Sequence, residues 1–355
     1  MESRCLAYTP QRLPLKKLDE RKFAALHARA QRAFSKYAAL LETVPSAALL
    51  SSLIIPEAMA SLESQKVTSS IQDVCIALLQ GNRAKQSLKQ VVNYIRAFDQ
   101  GRRLIDQRGI DKEMLCILHR YIKRGAKHSA ERGQYRTRQN WIGPERCTRA
   151  EAHFLPPAPT QVAATMRNLL SYCRRAGYAP LLQTAIAFAQ LLIIHPFMDG
   201  NGRVGRLLVP MLLYQKRAIA YPYFFLSRYF KDHRLKYFES LFNLTASRDW
   251  EAWVCFFFQG VIRESRRGYK TLSAILNLHK RLSTRHSEKL LHFLFAHPLF
   301  RTADFLKRFS RAELNALMKE GVVHGSGGFY ALPELLHLLQ NHRKRKNPGI
   351  RSRGP

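Results

Sequence analysis

The densest chemistry in the chain lies in IIHPFMDGNGRVGRLLVPMLL, residues 193–213. An imidazole (His195), a carboxylate (Asp199), three glycines (Gly200, Gly202, Gly205) and two guanidinium groups (Arg203, Arg206) crowd into it. The glycine spacing G-x-G-x-x-G raises the possibility of a dinucleotide turn. That turn needs a strand before the glycines and an acidic residue about 20 positions after them. Here an apolar helical run leads into His195, and YFFLS stands where the carboxylate should be. The Lys-Ser/Thr pair of a P-loop is missing as well.

Read as chemistry, the stretch is coherent. Pro196 blocks continuation of the preceding helix and leaves His195 at its exit. A short loop then enters a second helix, whose stripe is Val204, Leu207, Leu208, Met211 and Leu212. Gly200 and Gly202 allow backbone N–H groups to face a ligand, and with the helix dipole they predict an anion pocket. Arg203 and Arg206 add forks for phosphate oxygens. Asp199 offers the hard oxygen that Mg²⁺ prefers, and His195 can take a proton from a hydroxyl near neutral pH.

The elements that must position these groups read as mostly α. An extended, proline-marked start precedes a helical pair, with Phe23, Leu26, Ala30, Phe34, Tyr37 and Leu41 at helical spacing. VNYIRAFDQGRRLI and MLCILHRYIKR read as amphipathic helices, residues 126–158 as a hairpin or loop excursion, and 160–282 as helical again. From about 285 the order helix, short helix, helix, two short strands suits a winged helix. The tail NHRKRKNPGIRSRGP is basic, lacks apolar periodicity and reads as disordered.

Composition narrows the class. Apolar residues make up 46% of the chain, as in ordinary folded proteins. Against 25 acidic residues stand 58 basic ones, a net charge of +33 that attracts nucleic acid, anionic membranes, nucleotides or acidic proteins without choosing among them. The six cysteines are scattered with no C-x-x-C, which favours reduced core thiols over disulfides or zinc. No secretory h-region opens the chain, and LLQTAIAFAQLLII is too short to span a bilayer. The expectation is a cytoplasmic protein, with an exported effector as the alternative.

The pattern H-P-F-x-D-G-N-G-R-x-x-R, residues 195–206, resembles the signature of the Fic family at every defined position. YTPQRLP, EAMASLESQKVTSSIQDV, VVNYIRAF, GQYRTRQNWIG, FLPPAP, YFFLSRYF and DWEAWVCFFFQGV look like further landmarks, so the likeness covers roughly 7–270. The resemblance implies a helical bundle with a β-hairpin flap, and a winged helix is a common companion. The implied divisions are an N-terminal region at 1–90, a catalytic core at 91–282, a winged-helix module at 283–340 and a tail at 341–355. The implied activity is transfer of AMP from ATP, with Mg²⁺, to a Ser, Thr or Tyr hydroxyl of a target protein. His195 would be the base and Asp199 the metal ligand. Asn201, with the backbone at Gly200 and Gly202, would cradle the α-phosphate, and Arg203 and Arg206 would grip the β- and γ-phosphates. Gln134, Tyr135, Arg136 and Thr137 fall on the flap, which holds the target by strand addition. Tyr237 and Phe238 fall where the family often has tyrosines near the adenine. Other readings are a different transferred nucleotide or phosphate-containing group, and a nucleic-acid-binding regulator built on the winged helix and the basic tail. The helix SRAELNALMKEG carries Glu313 and Glu320, which favours a protein-contact or homodimer role for that module over major-groove readout.

The chain departs from the family in two places. Many relatives carry an inhibitory helix, S/T-x-x-x-E-G/N, whose glutamate pairs with the second motif arginine. Here Ser61 takes the serine position, Gln65 the glutamate and Lys66 the glycine, with Glu63 nearby. A neutral amide bonds an arginine about half as strongly as a carboxylate does, so the expectation is weakened autoinhibition. Before the motif, Phe188 and Leu192 replace a histidine and a glutamate frequent in relatives. Restoring the charge with Gln65→Glu is expected to lower automodification with labelled ATP; unchanged labelling would refute the argument.

Overall fold

The computed structural model describes residues 7–62, 69–125, 131–144 and 147–340. Gln65, with Glu63 and Lys66, lies outside them, as does the tail at 341–355. The described residues are mainly helical. In chain order the helices of the larger part are α1 (Ala24–Glu42), α2 (Ile54–Leu62), α3 (Ile71–Gln80), α4 (Gln86–Arg108), α5 (Lys112–Ile122), α6 (Pro159–Arg174), α7 (Pro180–Ile194), α8 (Asn201–Gln215), α9 (Ser227–Asp232), α10 (Arg234–Ser247) and α11 (Trp250–Ser283). None of the described helices is long and apolar enough to cross a membrane.

Helix α7 is the axis of the core. Every residue from 181 to 194 is buried, so its polar groups must find partners inside the protein. Gln183 Nε2 donates to the Tyr172 carbonyl at 2.6 Å and Gln190 Nε2 to that of Gln11 at 2.7 Å. The two glutamines thereby tie α7 to α6 and to the extended N-terminal segment. That segment is pinned again where Asn168 of α6 exchanges two hydrogen bonds with the backbone of Leu13.

Helix α8 lies against α7 at Gly205, where a Cβ would come within 3.0 Å of the Phe188 ring and 3.4 Å of Leu192. The last glycine of the motif therefore serves helix packing. Phe188 continues the layer outward, stacked on Phe230 at 5.2 Å. Helix α11 closes the other side, with Trp253 Nε1 donating to the Ala185 carbonyl at 2.9 Å. It runs parallel to α1, with His27 stacked on Phe258 and Tyr37 lying over Gly268. Helices α4 and α5 form an antiparallel pair turned at Gly109. A division at residue 90 falls inside α4, one unbroken helix whose buried face continues across that point, so the N-terminal region and the core share an element.

The smaller part comprises α12 (Glu288–Ala296), β1 (Leu299–Arg301), α13 (Thr302–Leu306), α14 (Arg311–Lys319), β2 (His324–Ser326), β3 (Phe329–Ala331) and α15 (Pro333–Gln340). The strands make an antiparallel sheet ordered β1-β3-β2. Sequence reading misses β1 and α15. In α14, Glu313 closes a capping box with Ser310, and Glu320 beyond it sits 3.2 Å from His286. Each carboxylate thus has a structural partner.

Where a β-hairpin flap is expected, the described residues form a loop closed by one bridge, Ile142 to Phe154. The returning segment carries Pro156, Pro157 and Pro159, which have no N–H for a ladder. Gln139 and Arg136 side chains bond the carbonyls of Pro156 and Pro157 instead.

Substituting Gly205→Ala forces the 3.0 Å contact with Phe188 to open. The expected cost is about 1–3 kcal/mol, read as a lowered urea midpoint with an unchanged m-value.

Candidate active site

Helix α7 stops because Pro196 follows it, and His195 adopts a left-handed conformation with φ 51° and ψ 58°. Few non-glycine residues do this without support. Support comes from Arg136, whose Nε donates to the His195 carbonyl at 2.9 Å and whose other nitrogens reach the carbonyls of Pro157, Ile194 and Arg138. The Arg136 N–H donates to the Pro196 carbonyl at 2.8 Å. Arg136 is therefore a buried clamp on the His195 turn. On the segment expected to hold a target by strand addition, the Arg136 side chain is thus turned inward: the carbonyls at the helix exit need donors, and Arg136 supplies them.

The His195 ring is oriented by its own helix. Its Nδ1 lies 3.1 Å from the Leu192 carbonyl. A carbonyl only accepts, so Nδ1 carries the hydrogen and Nε2 keeps a free lone pair. Burial pushes the imidazole down to about 4, which leaves it neutral at pH 7. The position that holds a glutamate in many relatives thus contributes through its backbone.

The following loop is closed by Asn201. Its Oδ1 accepts from the Phe197 N–H and its Nδ2 donates to the Phe197 carbonyl, both at 2.8 Å. The side chain expected to cradle a phosphate is spent on the loop, because a buried turn must satisfy its own amides. Gly200, at φ 84°, opens α8 with no side-chain cap. The N–H groups of Asn201 and Gly202 have no intrahelical acceptor at such a terminus, which suits an anion. Gly202 also leaves room for Arg206, whose Nη1 would stand 3.3 Å from a Cβ there.

Asp199 points outward, its Oδ2 held by Lys123 Nζ at 2.5 Å and Arg203 Nη2 at 3.3 Å. Partial burial raises its pKa, but the Lys123 bond, the charge of Arg203 and the Gly200 N–H outweigh that and leave it lowered. Lys123 and His119, both on or next to α5, are contributors that sequence reading overlooked. His119 Nε2 donates to the Asp199 carbonyl at 3.0 Å, its Nδ1 accepts from the Gly133 N–H at 2.9 Å, and its ring stacks on Phe197 at 4.0 Å. It ties the flap segment to the phosphate loop. The periodicity of MLCILHRYIKR placed it on a helix, but nothing local indicated what it would touch.

Arg203 is buried, with Nη1 3.2 Å from Gln90 Oε1. Arg206 reaches α2, where its Nε donates to Ser61 Oγ at 2.7 Å and its Nη2 to the Ser61 carbonyl at 3.0 Å. Behind Ser61, Glu57 is buried among Tyr94 and Ser227, and burial raises its pKa. Tyr237 is a buried aromatic stacked on Phe230 at 5.0 Å, with the charge of Arg206 near its hydroxyl, while Phe238 is exposed under Arg234. Of the other flap residues, Gln134 and Thr137 are exposed and Tyr135 packs on Phe197.

A helical domain with a histidine at one helix exit and an uncapped, arginine-bearing helix start beyond it presents donors and cations that suit an anion. Residues 109–213 match the Fic/DOC family and residues 24–103 its N-terminal region. The junction falls at the α4–α5 turn, and the two matches together span more than half of the chain. The chain belongs to the Fic-domain family. It is 32% identical over 133 residues to a protein adenylyltransferase Fic of Aedes aegypti, a match covering 37% of this chain and 23% of that protein. It is 40% identical over 63 residues to a probable protein adenylyltransferase of Aquifex aeolicus, covering 18% and 20%. The matched segments thus span about a fifth of those relatives. In fold, it resembles a Fic family protein from Desulfovibrio desulfuricans G20 (TM-score 0.61, 19% identity, 92% of this chain and 98% of that one). It also resembles C. elegans Fic-1 (0.53, 18%, 70% and 73%).

Both histidines fold with pKa values of about 4, below the ordinary 6.5. Between those values the unfolded chain binds more protons, so their contribution to stability is full above pH 6.5 and is lost as pH falls toward 4. Urea denaturation across that range is expected to show this loss, with His119→Gln flattening it by up to about 1.4 kcal/mol per pH unit.

Proposed function

We propose that this chain is a Mg²⁺-dependent protein adenylyltransferase that moves AMP from ATP to a Ser, Thr or Tyr hydroxyl of a target protein. The observation that carries the reading is the pairing of a neutral His195, its Nε2 free, with the uncapped start of α8 just after it in the chain. The names of the relatives matched over this segment point the same way.

In the proposed step the target oxygen attacks the α-phosphorus, its proton passes to His195 Nε2, and pyrophosphate leaves. A base whose pKa is about 4 in the empty protein is weak. The negative charge of a bound triphosphate would raise that pKa toward the useful range. The N–H groups of Asn201 and Gly202 take α-phosphate oxygens, while Arg203 and Arg206 take those further out. Asp199 fits Mg²⁺ as a single outward carboxylate, since Mg²⁺ is commonly held by one or two carboxylates plus substrate phosphates. When bound, the ion would neutralise phosphate charge, with Lys123 giving up its hold on Asp199. Clamping of the turn by Arg136 and of the loop by Asn201 prepays the positioning.

Weakened autoinhibition belongs to the same proposal. Its support is that α2 restrains Arg206 through a neutral hydroxyl and a carbonyl, bonds that a triphosphate can outcompete.

The test is incubation with Mg²⁺ and α-labelled ATP, GTP, CTP and UTP in a cell lysate, with mass spectrometry of modified hydroxyls. Label is expected from ATP, and His195→Ala is expected to reduce it about 100-fold or more. Transfer that survives the substitution removes His195 as the base, and preference for another nucleotide changes the donor.

A further inference from the structure

Away from the phosphate loop, α1 and α11 run side by side and leave between them a groove of about 700 Å³. Arg29, Arg32 and Lys36 line it from α1, at spacings that put them on one helix face. Arg266, Tyr269 and Lys270 line it from α11, and all six side chains are exposed. The fold gives carboxylate partners to the neighbouring Arg263 (Asp232) and Arg267 (Glu264). Among the described residues it gives none to the five cations of the groove. Ser265, fully buried in the wall, has a hydroxyl with no hydrogen-bond partner.

From this arrangement we infer that the α1–α11 groove binds single-stranded nucleic acid, with phosphates on the two rows of cations and a base stacked on Tyr269. The seven helical rises from Arg29 to Lys36 extend about 10 Å, room for a short run of phosphates of an extended strand. Arginine and lysine flanking an exposed aromatic ring is the chemistry of sequence-tolerant strand binding. The competing partners fit less well. A membrane-surface helix inserts several large apolar side chains, yet Tyr269 is the groove's one exposed large hydrophobic residue. A protein interface centres on apolar and aromatic area and is depleted in lysine. This site shares no residue with the winged-helix-like module or the tail, and it does not depend on the transfer reaction.

The experiment is fluorescence anisotropy of the full chain with a labelled single-stranded DNA dodecamer over a series of salt concentrations. Inorganic polyphosphate, phosphatidylserine vesicles and polyglutamate serve as competitors. Neutralising Arg32→Ala with Lys270→Ala is expected to weaken binding at least ten-fold. It should also lower the slope of log Kd against log salt by about 1.4, because each phosphate contact on a single strand contributes about 0.7. Tyr269→Ala is expected to weaken dodecamer binding about ten-fold, a single stacked base, while leaving polyphosphate binding unchanged. Arg29→Gln, a milder exposed change, should weaken binding several-fold and guards against misfolding of the double variant. An unchanged dodecamer affinity and slope in the double variant would place binding elsewhere and overturn the inference. So would equal loss of polyphosphate binding in Tyr269→Ala, or vesicles or polyglutamate displacing the dodecamer at lower charge concentration.

Discussion

The left-handed turn at His195 is the constraint on which the site depends. A helix buried on all sides has to end, reverse and deliver a side chain to a neighbouring helix start within a few residues. Each carbonyl exposed by that ending is cut off from water and needs a donor. Arg136 answers for three of them, the carbonyls of Ile194 and His195 through its side chain and that of Pro196 through its N–H, and Asn201 closes the turn that follows. Burial lowers the pKa of Arg136 to about 10, yet the cation is kept. An arginine without a carboxylate is tolerable there because carbonyl dipoles satisfy its donors.

Around that turn, polar groups divide between holding and reacting. His119 and Asn201 have the right chemistry to touch a substrate, but their ring nitrogens and amide are consumed by the backbone of the loop. His195 differs because its helix supplies the one acceptor that fixes its tautomer, which leaves the other nitrogen free. The cationic side chains are likewise committed in the absence of a ligand. Lys123 and Arg203 hold Asp199, and Arg206 holds Ser61. Under the proposed function a triphosphate would exchange the neutral bonds of Arg206 to Ser61 for fully charged ones, whereas Arg203 and Lys123 already stand in ion pairs with Asp199.

Much of the fold was legible because it is written locally. The 3.6-residue stripes, the apolar run before His195 and the Pro196 stop located α4, α5, α7 and α8, and the motif located the glycine loop between the last two. The flap segment, which reads as a hairpin or a loop excursion, is among the described residues a loop with one antiparallel bridge, and the prolines opposite it withhold the donors of a longer ladder. The burial of Tyr237 and Arg136 was not legible, because an aromatic or an arginine in a helix or loop carries no mark of the side it turns inward.

By itself the sequence determined which residues could handle a phosphate and in what order, since helix periodicity, glycine freedom and proline stops act within a few residues along the chain. Only the tertiary structure decided which of them are free to do so. His119 meets Asp199 across 80 positions, Arg206 meets Ser61 across 145, and the basic rows of α1 and α11 come together from helices far apart in the chain. Such contacts follow from the packing of whole helices around a common core. No short window of residues contains the distance that closes them.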